Sequence, residues 1–306
     1  MLEALTPQPQ DKILVLMAQF REDPRSTKVD LGVGVYKDAT GLTPVMRAVK
    51  TAEKQLWERE VTKTYTGLAG EPAFHAAMTN LILGPGFADR AAVAATPGGT
   101  GALHQALELI KMASPKATVW VSDPTWPNHT SIIRYLGLNI AEYRYFDAAS
   151  GGIDEPGILA DLAKVAKGDV VLLHGCCHNP TGADLTETQW QEVIQIVTQR
   201  GLIPFLDMAY QGFGDGIEAD GIVVRQFAEA GGPLFVSNSF SKSFSLYGER
   251  VGALSIVSSS AEEAGRVLSQ LKRVIRTNYS NPPMHGGQVV ATTLATPELR
   301  AMWEEE

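Results

Sequence analysis

The sequence predicts an α/β fold, a mostly parallel sheet flanked by helices. Two observations carry that expectation. From about Pro115 onward, short β-rich runs alternate with segments of helical period. Each of several runs is also followed directly by a polar cluster, and in open parallel sheets ligands sit outside the carboxyl ends of the strands. The 306-residue length, with 44% hydrophobic and 20% charged residues, supports a large packed core and one large or two modest domains.

Taken in order, the first ten residues, with Pro7 and Pro9, read as an arm without helical pattern. Pro97-Gly-Gly-Thr-Gly-Ala-Leu precedes a helical run over Ala102–Met112. The predicted strands are Thr118–Ser122, Val170–His174, Leu202–Asp207, Leu234–Asn238 and Ala253–Val257, each a short β-favouring apolar run. Between and after them, Asn128–Leu136, Pro156–Ala166, Glu187–Gln199, Ile222–Ala230 and Ser260–Arg276 carry the 3.6-residue period. A last helix opens near Pro297, a residue suited to a first helical turn.

Acidic groups outnumber basic ones, for a formal charge of −8, and such a surface repels phosphate backbones and anionic lipid. Neither a nucleic-acid nor a membrane partner is expected. No apolar run approaches the ~20 residues of a membrane span, and the first residues lack a basic and then apolar signal pattern. The two cysteines, Cys176 and Cys177, are adjacent; neighbours rarely bridge without strain, and two thiols cannot complete a structural zinc site. A reduced, cytoplasmic protein is the expectation. His129, His174 and His178 lie near the polar loops but lack a metal-ligand spacing, so no metal is predicted.

Four strand-end clusters concentrate the chemistry: Ser122-Asp-Pro-Thr-Trp-Pro, His174-Gly-Cys-Cys-His-Asn-Pro-Thr-Gly, Asp207-Met-Ala-Tyr and Asn238-Ser-Phe-Ser-Lys. One could be ordinary loop chemistry; four on one sheet edge suggest an active site. In Ser239-Phe-Ser-Lys-Ser-Phe-Ser-Leu-Tyr-Gly-Glu-Arg, a partly desolvated Lys242 would have a lowered pKa and could form a Schiff base with an aldehyde. Neighbouring hydroxyls and Arg250 would hold a phosphate. The alternative is a solvated lysine in a serine-rich loop. Asp207 could keep a pyridine nitrogen protonated and Tyr210 donate to a phenolate oxygen, or the pair could cap a turn and fill space. Asn179 reads as a fixed amide donor or as plain Asn-Pro turn chemistry. Trp126, between prolines, offers a stacking face or is a core tryptophan. The glycines at 98, 99 and 101 allow phosphate to approach a helix start, or simply cap the helix.

Together these stretches resemble the class I pyridoxal-phosphate aminotransferases of the aspartate and aromatic subgroup. The matching phrases are Leu31-Gly-Val-Gly-Val-Tyr, Tyr65-Thr-Gly-Leu-Ala-Gly, Thr96-Pro-Gly-Gly-Thr-Gly-Ala-Leu, His178-Asn-Pro-Thr-Gly, Asp207-Met-Ala-Tyr-Gln-Gly-Phe, Ser239-Phe-Ser-Lys and Ile275-Arg-Thr-Asn-Tyr-Ser-Asn-Pro-Pro. They run from residue 31 to 283 in the family's order. The resemblance implies pyridoxal 5'-phosphate as cofactor, with Lys242 as the Schiff-base lysine and proton shuttle. Asp207 becomes the pyridinium partner, Asn179 and Tyr210 the phenolate donors, and Trp126 the stacking residue. Gly99, Thr100, Ser239, Ser241 and Arg250 surround the phosphate, and Tyr65 reaches it across a homodimer interface. Arg276 of the partner subunit receives a distal substrate carboxylate, and Gly34 makes a backbone contact beside the substrate.

The resemblance further implies that residues 11–44 begin a smaller α/β domain and that residues 45–306 form the large cofactor-binding domain, running into an interdomain helix. The family continues past Glu306 with an arginine for the α-carboxylate, so the sequence is read as incomplete. The implied reaction moves the amino group of aromatic amino acids or aspartate to 2-oxoglutarate by a ping-pong mechanism. Asn179-Pro-Thr-Gly-Ala-Asp-Leu-Thr and Phe205-Leu-Asp-Met-Ala-Tyr resemble the bacterial aromatic branch more than the strict aspartate branch. The alternatives are a lyase on the same fold and a non-catalytic or truncated cofactor-binding protein.

Overall fold

Seven strands in the order β1-β9-β8-β7-β6-β2-β3 make the central sheet. They are β1 (Ala91–Pro97), β2 (Thr118–Asp123), β3 (Asn139–Arg144), β6 (Val170–His174), β7 (Ile203–Met208), β8 (Leu234–Ser239) and β9 (Val251–Val257), with a two-stranded hairpin of β4 (Phe146–Asp147) and β5 (Gly152–Ile153) apart from it. The computed structural model describes residues 1–306 apart from Gln8, Asp11, Leu31 and Val33 and the side chains of Lys12 and Ile13. The phrase beginning at Leu31 therefore lies partly outside the described residues.

Strands β8, β7, β6, β2 and β3 are mutually parallel, while β9 runs antiparallel to both β8 and β1. The run Ala253–Val257 thus sits in a strand of reversed direction, β9, reached from β8 by the short Phe240–Arg250 connection rather than a helix. That connection is shorter than the dozen or more residues a parallel crossover takes. The edge strands β1 and β3 escaped the sequence pattern because Ala91–Pro97 is alanine-rich and Asn139–Arg144 is half polar.

The period of two along each strand divides the core. Val170 and Leu172 face one apolar cluster, with Leu103, Leu107 and Leu271; Val171 and Leu173 face the other, with Val193, Val224 and Trp303. Both faces are covered by helices, so β6 is buried at every position. The first cluster holds α4 (Gly98–Ala113), α5 (Pro127–Tyr135) and α10 (Ala261–Asn278). The second holds α2 (Arg47–Arg59), α3 (Pro72–Met78), α6 (Glu155–Leu162), α7 (Glu187–Arg200), α9 (Ile222–Ala230), α11 (His285–Ala295) and α12 (Pro297–Glu305).

Local chemistry fixes several ends. Thr186 and Gln189 form a reciprocal capping box at the start of α7, and Gly201 ends it in the left-handed conformation. Asp154 accepts from Gly157 N–H at the start of α6, and Ser260 from Glu263 N–H at the start of α10. The described residues divide into two compact units, 1–44 and 45–306. The first contains α1 (Lys12–Glu22) and extended segments.

Candidate active site

The four polar clusters leave adjacent strands. Because β2, β6, β7 and β8 are parallel neighbours, their carboxyl ends share one edge, and β1, parallel to them through β9, delivers its glycine turn to that edge as well.

Asp207, near the end of β7, is buried and fully engaged. Ser237, its neighbour across the β7–β8 ladder, donates its hydroxyl to Asp207 Oδ1 at 2.8 Å, and His129 Nε2 lies 2.9 Å from Oδ2. Burial pushes the carboxyl up, but the hydrogen bonds and charge of His129, with His174 and Ser237, outweigh it and leave the pKa below the ordinary value. Asp207 is therefore an anion and can only accept, so His129 Nε2 carries a proton.

The protons beyond it follow from the same bookkeeping of donors and acceptors. Thr125 Oγ1 lies 2.9 Å from His129 Nδ1 and 3.2 Å from His174 Nε2. Thr125 Oγ1 accepts from His174 Nε2–H and is the partner of His129 Nδ1. His174 Nδ1 then accepts from the Asn179 amide at 3.4 Å. His174 is held neutral, its pKa far below the ordinary value, by burial and by the neighbouring His129 and His178. His178 is satisfied in the same neutral state. Ser122 gives its proton to the Pro124 carbonyl and so accepts from His178 Nε2, while Thr181 donates to His178 Nδ1.

Lys242, four residues into the sequence after Asn238, is half-buried with its Nζ 4.7 Å from the centre of the Tyr210 ring. Burial lowers its pKa, Asp207 opposes that shift, and Arg250 adds to it. Burial, then the Asp207 charge, raises the Tyr210 phenol, which keeps its proton as a donor. The Lys242 loop is clamped from below: Trp303 Nε1 donates to the Ser243 carbonyl at 2.6 Å, and its ring stacks on Phe244 at 4.4 Å.

The glycine turn meets Arg250. Gly98 has φ +69°, and a Cβ there would collide with the Arg250 guanidinium; a Cβ on Gly99 would come 3.0 Å from Ser239 Cβ. Arg250 itself adopts φ +56°, and its carbonyl accepts from Gly98 N–H at 2.8 Å. Its guanidinium donates to Ser241 Oγ at 3.3 Å and to the Tyr247 carbonyl at 3.0 Å. Ser239 Oγ accepts from the Ser241 amide at 3.3 Å. Gly99 and Thr100 stand in the first turn of α4, where amides have no acceptor within the helix. Asn128 Nδ2 is 3.4 Å from Thr100 Oγ1.

Of the remaining expected residues, Trp126 is half-buried and meets His129 edge-to-face at 5.3 Å. Asn179 is half-buried in the turn after β6. Tyr65 is 93% exposed, and Arg276, in the last turn of α10, is exposed with its guanidinium on Ser280 Oγ at 2.7 Å. Gly34 belongs to the 1–44 unit and the other residues belong to the 45–306 unit. The sequence reading did not assign Thr125, His129, His174 or Ser237 to the site. The signal for Ser237 was available: it is the first polar residue after the apolar Leu234-Phe-Val of its β-run, one strand over from Asp207.

A family profile described as aminotransferase class I and II matches residues 26–306. The chain is 55% identical over 309 residues to the aromatic-amino-acid aminotransferase of Paracoccus denitrificans, covering all of this chain and 78% of that protein. It is 49% identical over 302 residues to an aspartate aminotransferase of Pseudomonas aeruginosa, covering 97% of this chain and 76% of the relative. The crystal structure of an aromatic-amino-acid aminotransferase from Burkholderia pseudomallei, covalently bound to pyridoxal phosphate, superposes with a TM-score of 0.97 at 51% identity over all of this chain and 77% of that one. With the site on one sheet edge and this likeness along its whole length, the chain belongs to the class I aminotransferases, in the subgroup that holds the aromatic-amino-acid and aspartate enzymes.

Proposed function

We propose that this pyridoxal-phosphate-dependent transaminase moves amino groups from aromatic amino acids and aspartate to 2-oxoglutarate, with Lys242 as its proton-carrying amine. The observation that carries the reading is the pairing at adjacent strand ends of an amine lowered by burial with a buried carboxylate held as an anion. The residues fit the cofactor along its whole length. Asp207 offers a fixed anion for a ring nitrogen, Asn179 and Tyr210 offer donors for a phenolate oxygen, and Trp126 offers a face for the ring. The glycine turn offers room and free amides for a phosphate, where a Cβ at Gly98 or Gly99 would intrude.

When bound, the cofactor supplies an electron sink for charge that develops at the substrate's α-carbon. Lys242, whose pKa is lowered by burial and by the Arg250 charge against the opposing Asp207, takes a proton from that carbon and returns it to the neighbouring site. Asp207 keeps the ring nitrogen protonated. It stays anionic through His129 and Ser237, and each such charge-assisted hydrogen bond contributes on the order of 1.5–3 kcal/mol. Gly99, Thr100, Ser239, Ser241 and Arg250 would hold the phosphate, Arg250 supplying the positive charge. Arg276 and Tyr65 act across a homodimer interface, which accounts for two polar side chains standing exposed in a single chain.

Residues 1–10 are the N-terminal arm, 11–44 the start of the small domain, and 45–306 the large domain. The acidic, reduced chain works in the cytoplasm; no helix among the described residues is long and apolar enough to cross a membrane.

The decisive experiment loads the protein with pyridoxal phosphate, reduces it with borohydride and maps the adduct. Attachment at Lys242, absent in Lys242→Ala, together with turnover that depends on a second oxo acid, is the expected result. Turnover without an oxo acid would replace the transaminase with a lyase.

A further inference from the structure

Cys176 and Cys177 take no part in the chemistry above, yet the chain builds them a defined setting. Successive side chains of an extended segment point to opposite sides. Cys177 breaks that rule with φ +49°, a conformation a non-glycine residue keeps only when its surroundings impose it. Asp184 imposes it: Oδ2 accepts from the Cys177 amide at 2.6 Å and Oδ1 from the His178 amide at 2.7 Å. The turn brings both thiols to one side, where their sulfurs and a carboxylate oxygen of Asp220 all lie within 4.8 Å of one another. Cys176 is buried in the core and Cys177 is half-buried, so the pair is reached through Cys177.

We propose that Cys176 and Cys177 form a two-sulfur chelating site for a three-coordinate thiophilic centre, of which a trivalent organoarsenical is the fitting class. Soft sulfur donors exclude hard ions such as Mg²⁺ and Ca²⁺, which take oxygen. A zinc site calls for four ligands, or three with an open position. Asp220 does not supply the third, because its carboxylate already accepts from the amides of Gly212, Gly214 and Asp215. What remains is a rigid pair of sulfurs and a third position left to an outside ligand. A hydrogen bond between the thiols favours the thiolate at Cys177, the form that attacks. With phenylarsine oxide, two As–S bonds form and the As–O bond is lost. The two thiol protons leave with that oxygen as water, and arsenic stays trivalent throughout. The site stands on Cys176, Cys177 and Asp184 alone and does not depend on the transaminase reading.

These are the only cysteines in the chain, so a bidentate adduct has one place to form. Native protein treated with phenylarsine oxide should gain one phenylarsenic group less two hydrogens by intact mass. That group should survive washing with 2-mercaptoethanol and leave with 2,3-dimercaptopropanol. Cys176→Ser and Cys177→Ser should each lose it in the monothiol wash. Should either variant fail to fold, alkylating Cys177 of the wild-type chain beforehand must block retention in the same way. Asp184→Ala, which frees the turn, should release the group at about a tenfold lower dithiol concentration. Loss of the group from wild type in the monothiol wash, its retention after either single block, or unchanged release in Asp184→Ala would each overturn the proposal.

Discussion

Asn179, in the turn after β6, and Asp207, near the end of β7, are the two ends of one hydrogen-bond chain: Asn179 N–H to His174, His174 to Thr125, Thr125 with His129, His129 to Asp207. Asp207 can only accept from His129, and Thr125 joins the two histidines. The residue expected at the cofactor's phenolate oxygen is thereby tied to the one expected at its ring nitrogen.

That relation makes Thr125 a positioning residue. Thr125→Val keeps the shape but leaves His129 Nδ1 and His174 Nε2 unpartnered, two buried polar atoms at about 1–3 kcal/mol each. The variant should lose about tenfold or more in kcat with a smaller change in KM, and the titration of the bound cofactor's absorbance should move. Thr125→Ser, which restores the hydroxyl, should recover both. An unmoved spectral titration in Thr125→Val would cut Asn179 loose from Asp207.

Gly98→Ala tests the phosphate end. The added methyl meets the Arg250 guanidinium, and φ +69° suits an alanine poorly, at roughly 1–2 kcal/mol. Arg250 must give way, so cofactor affinity should fall by one to two orders of magnitude while the thermal midpoint drops by only a few degrees. Equilibrium dialysis against pyridoxal phosphate measures the first and calorimetry the second.

His178 sets a pH dependence of stability. Burial, then the nearby His129, lowers its pKa from the ordinary 6.5 to about 4. In this window the unfolded chain binds a proton that the folded chain refuses. Stability is therefore complete above about pH 6.5 and lost as the pH falls toward 4, by about 3 kcal/mol for this residue. His174, lowered for the same leading reason, steepens the loss. Denaturant titrations at several pH values should show the slope, and His178→Gln should flatten part of it.

The strand–helix alternation and the four strand-end clusters were legible because they depend on local pattern: β6 and β8 are unbroken apolar runs ending in polar residues. The edge strand β1 was not, since six of its seven residues are alanine, threonine or proline and its pairing with β9 is a contact across more than a hundred and fifty residues. Lys242, Asp207 and Arg250 could be singled out as charged groups at strand ends. The histidine relay could not, because His129, His174 and Thr125 acquire meaning only when α5 packs its buried face beside the ends of β6 and β7.

Arg276 tests the shared site. Alone in the chain its guanidinium is exposed and rests on Ser280, so its work, on the present reading, lies at the partner's active site. There it would fork onto the second carboxylate of aspartate, glutamate or 2-oxoglutarate. Arg276→Ala should raise the barrier for dicarboxylates by about 2–5 kcal/mol, the range for breaking a desolvated charge pair, and spare the half-reaction of aromatic amino acids. Single-turnover kinetics with tyrosine and with aspartate separate the two. If the sites are shared, mixing Lys242→Ala protomers with Arg276→Ala protomers produces heterodimers in which one site carries both lesions and the other carries neither. Dicarboxylate turnover should then reappear in proportion to the heterodimer counted by native mass spectrometry. Heterodimers that form and stay inactive would return Arg276 to its own subunit's surface.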